Sequence, residues 1–191
     1  GGRRLWISWQ FAVLRANAYL QADTSQHRSG GIGFHPMKLA DGVKPEEVRF
    51  GELGYAREAR ASYLDFVAAR DKGILPQGAR FQVSLPTPFA VIGPFVVEEA
   101  RQPVLRAYEE AMLREVAAIC DGIPHRDLAI QWDVCIEMVI WDGQLAGRPS
   151  YWQATQVRHA RERGEPAHLV AHEDVTVYRH VPSTSEVADG R

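Results

Sequence analysis

The sequence predicts an α/β fold with parallel strands. Three observations lead there: strand-like runs at residues 81–85 and 128–138, a strongly periodic helix between them, and a helix and turn leading into the first run. In the first run Phe81, Val83 and Leu85 alternate with Gln82 and Ser84, the period-two pattern of a strand. It stops at Pro86-Thr87-Pro88, because proline lacks a ladder donor and restricts the residue before it. A strand ending in a rigid turn of small residues is where α/β folds place backbone that contacts ligands.

The elements follow in chain order. In residues 5–20 the spacing of Trp6, Trp9 and Phe11 fits either a helix or a strand followed by a helix. Residues 21–33 are polar and read as a loop. Its Gly30-Gly31-x-Gly33 lacks the preceding strand and following helix of a phosphate cradle. Residues 34–54 read as irregular, with a turn at Asp41-Gly42 and a short helical turn at Pro45-Glu46-Glu47. Residues 55–72 predict a helix: Tyr55, Ala59, Tyr63, Phe66, Val67 and Arg70 recur at helical spacing and Gly73 closes it. A second helix spans 103–120, with the stripe Val104, Tyr108, Met112, Val116 and Ile119, stopped by Asp121-Gly122. Pro124-His125-Arg126-Asp127 then leads into the second strand. Beyond Met138 the pattern weakens to a charged helix at 151–163, an edge strand at 173–180 and a flexible tail at 182–191. That leaves residues 1–181 as one domain.

Composition excludes several classes of function. The chain of 191 residues is 46% hydrophobic and 24% charged, close to globular averages, and its formal net charge is -2. That charge supplies no general attraction to nucleic acid or to an anionic membrane. The basic-aromatic group Arg3, Arg4 and Trp6 is too small for a nucleic-acid surface. No apolar run reaches the ~20 residues that span a bilayer. Gln10, Arg15 and Asn17 interrupt the apolar start, against a signal peptide. Cys120 and Cys135 both lie in apolar segments and read as free thiols, which places the protein in the cytoplasm.

The second strand carries the functional argument. Its alternation puts Leu128, Ile130, Trp132, Val134 and Ile136 on one face and Ala129, Gln131, Asp133, Cys135 and Glu137 on the other. Strands reached by a parallel crossover are usually apolar on both faces, so a polar row asks for a reason. One reason is the wall of a pocket at the carboxyl ends of the strands, where Asp133 would bind a substrate cation or hydroxyl and Glu137 would act as acid or base. The other is an edge strand with a wet face. His168-x-x-x-His172 lacks a metal-site arrangement and reads as surface histidines. Cys135 has no histidine beside it in sequence and reads as a buried thiol rather than a nucleophile.

RFQVSLPTP, Arg114-Glu115 on the intervening helix and DLAIQWDVCIE together resemble the cobalamin-independent methionine synthase (MetE-like) family, within the uroporphyrinogen-decarboxylase superfamily. The similarity covers roughly residues 3–140. It implies a TIM-barrel-like fold, incomplete or truncated, because 191 residues fall short of the ~250 such a barrel uses. It implies a methyltransferase acting on a homocysteine-like thiol with a folate donor. It also implies substrate-binding roles for Thr87, Glu115, Gln131 and Asp133, the last holding an amino group. The family expectation of zinc meets no matching ligand motif here, and Val134-Cys135 stands where the family has Glu-Pro. The alternatives are a metal-free decarboxylase or lyase of the same superfamily, or a non-catalytic interaction module. The expected partners are a small-molecule substrate and, to cover the edges of an incomplete barrel, a second copy of the chain.

Overall fold

The computed structural model describes residues 6–25, 35–134 and 137–138. Helix α1 (Trp6–Ala16) leads into β1 (Leu20–Ala22), which pairs antiparallel with β2 (Met37–Leu39). After a 3₁₀ turn (Pro45–Glu47) come α2 (Tyr55–Asp71), β3 (Phe81–Pro86), α3 (Pro88–Phe95), α4 (Glu98–Gly122) and β4 (Leu128–Asp133). Strands β3 and β4 pair in parallel, in a register running from Phe81 opposite Leu128 to Pro86 opposite Asp133. The expected parallel pair is therefore present, with α3 and α4 as its crossover. The barrel is not. Among the described residues the sheets are two open pairs of strands, so the TIM-barrel-like fold is corrected to a small α/β domain.

Apolar periodicity explains most elements. Along α4, Val104, Tyr108, Met112 and Ile119 are fully buried, the stripe that the spacing predicts. They pack with Leu14 of α1 and with Val91, Ile92 and Phe95 of α3. In β3, Val83 and Leu85 are buried while Gln82 and Ser84 are exposed, as the alternation requires. The turn at Asp41-Gly42 and the helix stop at Gly73 each place glycine at positive φ, 82° and 70°, where a Cβ is disfavoured.

Several boundaries differ from expectation, each for a local reason. The Pro86-Thr87-Pro88 turn is also the start of α3: the Thr87 Oγ1 accepts from the Ala90 N–H at 3.1 Å, and Pro88 occupies the first helical position. Helix α4 begins at Glu98, and Pro103 lies inside it. So near the amino end, Pro103 forgoes only the one backbone bond it would have donated to the preceding turn. The stretch read as irregular contains β2, which three residues of antiparallel pairing and a bridge from Met37 to Val96 hold in place. The expected helix at 151–163, the strand at 173–180, the paired histidines, Cys135 and the tail lie outside the described residues.

The buried join between α2 and α4 depends on Glu115. Helix α2 starts after Gly54, whose φ of 94° suits glycine and which has no side chain to cap the exposed N–H groups. Glu115, buried within α4, supplies the cap from a distance. Its Oε1 accepts from the N–H groups of Leu53 (2.6 Å) and Gly54 (3.2 Å), and its Oε2 accepts from Ala56 (2.6 Å). The other side of the same segment is fastened by α1: Trp9 Nε1 and Gln10 Nε2 both donate to the Leu53 carbonyl, at 2.9 and 3.0 Å. Gln10 is fully buried and in turn accepts from the Tyr108 hydroxyl at 2.7 Å, which lies 3.3 Å from the Tyr55 hydroxyl. Arg114 donates to the Phe50 carbonyl at 2.7 Å. Buried polar groups thus find partners across three helices, as they must to avoid the cost of desolvation.

At the amino ends of β3 and β4, Asp127 forms a second join. Arg70 of α2 grips it with two hydrogen bonds, at 2.9 and 3.1 Å, and the Tyr63 hydroxyl donates to it at 2.6 Å. The Phe81 N–H donates to the Asp127 carbonyl at 2.6 Å, which ties the cluster to the start of β3. Phe66 and Phe81 pack ring against ring beside it, and the Arg70 guanidinium lies over Phe66.

Two predictions follow from these joins. Glu115→Ala leaves three backbone donors without their acceptor and lowers stability by about 3 kcal/mol or more, at roughly 1 kcal/mol or above per buried donor. Glu115→Gln, which keeps an acceptor oxygen, loses less; denaturant midpoints of the two variants measure the difference. The hydrogen bonds from Arg70, then from Tyr63, hold the Asp127 carboxyl down to about 2. A depressed acid stabilises the fold above its unfolded pKa and loses that stabilisation as pH falls through the folded one. Acid titration between about pH 4 and 2 therefore shows a fall in thermal midpoint that Asp127→Asn lacks.

Candidate functional site

The carboxyl ends of β3 and β4 gather the polar groups that the sheet does not use. The register pair Pro86–Asp133 brings the two strand ends together, and the Thr87 N–H reaches the Asp133 carbonyl at 3.4 Å. Beyond β4, Glu137 and Met138 are helical, and the Met138 N–H donates to the Val134 carbonyl at 3.0 Å. The Glu137 side chain turns inward and is 3% exposed. Thr87 joins the two elements: its hydroxyl donates to Glu137 Oε1 while accepting from Ala90, so one oxygen caps α3 and orients a buried acid. Glu137 Oε2 is buried and has no hydrogen-bond partner among the described residues.

The electrostatics match that geometry. Burial pushes the Glu137 pKa up, the hydrogen bond from Thr87 pulls it part of the way back, and the negative charge of Asp133 raises it again. Glu137 therefore holds its proton more tightly than a solvated glutamate. Protonated, Oε2 can donate a hydrogen bond; ionised, the carboxylate can accept one or neutralise a cation.

The residues singled out in the sequence separate into three places. Thr87, Asp133 and Glu137 meet at the strand ends. Glu137 does so from a helical segment after the strand, so its place in the alternating row of β4 is corrected. Gln131 and Asp133 are exposed, with Asp133 at the rim of the site. Gln131 Oε1 accepts from Gln82 Nε2 at 2.5 Å, and the same amide reaches Ser84 Oγ at 3.2 Å. This is a solvent-exposed cross-strand network on the outer face of the sheet. Glu115 is engaged elsewhere: both of its oxygens accept from backbone N–H groups at the start of α2. The sequence pattern placed Thr87 in a turn and the resemblance gave it a substrate-binding role; its place at the start of α3 was missed, although a threonine before a proline and an apolar run is a helix-start signal.

The methyltransferase expectation is overturned by the same structure. Among the described residues the sheets are two open pairs, and these form no barrel mouth to arrange a thiol against a folate. Among the described residues no group of three or more His, Cys, Asp or Glu is placed to hold a metal ion. The lyase and decarboxylase alternative, which borrowed the same barrel, is corrected with it. Comparisons with models of known protein families, with curated proteins and with solved structures find no match. No helix of the described residues is long and apolar enough to cross a membrane.

The raised pKa of Glu137 predicts a pH dependence opposite in sign to that of Asp127. A raised acid favours the fold while it is protonated, so stability declines as pH rises out of the ordinary glutamate range and through the folded pKa. Glu137→Gln cannot ionise and shows no such decline. Comparing thermal midpoints of the two proteins from acid to neutral pH measures the effect.

Proposed function

We propose that the carboxyl end of the β3–β4 pair binds a small molecule bearing an ammonium group or a hydroxyl. Glu137 is its buried anchor, Thr87 the residue that orients the anchor, and Asp133 the acid at the rim. The single observation that supports the reading is Glu137 Oε2, a buried carboxyl oxygen without a hydrogen-bond partner among the described residues. Such a group costs free energy while no donor reaches it and favours whatever supplies one. Asp133 lies close enough for its charge to raise the Glu137 pKa, and a cation between the two acids would relieve that repulsion. The location is also where open parallel sheets hold ligands, just beyond the carboxyl ends of the strands. Cytoplasmic residence belongs to the same proposal, since a free thiol such as Cys120 persists in a reducing compartment.

Titration of small primary ammonium compounds and neutral polyols, followed by amide chemical shifts, tests the reading. The expected result is saturable shifts at Thr87, Asp133 and Glu137 with one class of compound, weakened about tenfold or more in Glu137→Gln. Unsaturable shifts, or equal binding by the variant, would remove Glu137 from any site.

A further inference from the structure

Arg101 presents a second unfinished contact, on a different part of the chain. It lies in the opening turns of α4, four residues into the helix, and is half-buried. Two of its three nitrogens, Nε and Nη2, are shielded from solvent and have no hydrogen-bond partner among the described residues. These two nitrogens share one edge of the planar guanidinium. Their N–H bonds run side by side, at a spacing that matches two oxygens of a carboxylate or a phosphate.

The described residues around it do not complete that edge. Glu98 and Glu99, one turn away or less, favour the charged guanidinium through space, yet neither hydrogen-bonds Nε or Nη2. Burial acts the other way and outweighs them, lowering the Arg101 pKa, as expected for a cation drawn from water. A cation with two buried, unused donors on one edge is costly in isolation and selective for an anion with two coplanar oxygens. The amino end of α4 adds a modest field of the same sign.

We propose that the Nε–Nη2 edge of Arg101 is a binding site for a small oxyanion, a carboxylate or a phosphate, independent of the group at Glu137. The fork sets the chemistry. A bidentate anion makes two parallel charge-assisted hydrogen bonds there, whereas a monatomic ion such as chloride makes no such pair.

Titration calorimetry with inorganic phosphate and with acetate, against sodium chloride at equal ionic strength, tests the proposal on the full chain. Expected is saturable binding of one molecule per chain for at least one oxyanion, with chloride inert; which probe binds separates the phosphate from the carboxylate source. Arg101→Met weakens that binding about tenfold or more, while Arg101→Lys, which keeps a charge and loses the fork, falls between. Without added anion, Arg101→Met is at least as stable as the parent, because it removes two shielded donors that have no acceptor among the described residues. Binding unchanged in Arg101→Met, or no binding of either oxyanion to the parent, overturns the proposal. So does a large loss of stability in Arg101→Met with no anion present, since that result means the chain itself already pairs the guanidinium.

Discussion

The fold depends on a glutamate that caps a helix to which it does not belong. Helix α2 begins at a glycine in a left-handed conformation, so its first turn cannot cap itself. Glu115, fifty-nine or more residues further along the chain, accepts three of the N–H groups around that start. The arrangement sets where α2 can sit against α4, because moving either helix strips buried donors of their acceptor. It also determines what else must be buried. The Leu53 carbonyl, on the far side of the same segment, needs donors of its own and takes them from Trp9 and Gln10 of α1. Gln10 then needs an outlet for its oxygen and finds Tyr108. One remote cap thereby recruits three helices into a single polar network inside an apolar core.

The two ends of the parallel strand pair have opposite characters. At the amino ends, Asp127 is gripped by Arg70 and Tyr63 and flanked by packed aromatic rings. Every partner is supplied within the chain, and the cluster is a closed structural joint. At the carboxyl ends, Thr87 satisfies its own needs by serving both Ala90 and Glu137, while one Glu137 oxygen is left over. The same physical chemistry, carboxylates meeting hydrogen-bond donors in a partly dry setting, yields a depressed pKa where partners are in surplus and a raised one where they are short.

The order of helices and strands predicted that β3 and β4 pair in parallel, and they do; the resemblance to a methyltransferase barrel carried that local unit further. What failed was the extrapolation from two strands to eight. A strand–helix–strand unit is stable in many architectures, because its requirements are local: an apolar stripe on the helix, alternation on the strands and a crossover long enough to return. None of these specifies how many further units follow. Function borrowed from the whole barrel accordingly has no support in this chain, whereas the polar residues at the strand ends keep an interest of their own.

The sequence by itself determined the elements whose signals are local. Periodicity defined the buried stripe of α4, alternation defined β3, and Gly42 and Gly73 marked turns that only glycine makes easily. Asp133 and Glu137 were also legible as polar residues worth explaining. Their difference was not. Alternation assigned both to one face of one strand, but the strand ends at Asp133, and a helical segment carries Glu137 inward to Thr87. Glu115 was equally ambiguous: a single acid on a helix reads alike whether it binds a substrate or caps a distant backbone. Only the tertiary structure decided these cases, because a buried carboxyl is defined by the donors that reach it. Those donors come from residues fifty or more positions away in the chain, beyond the range of any local pattern.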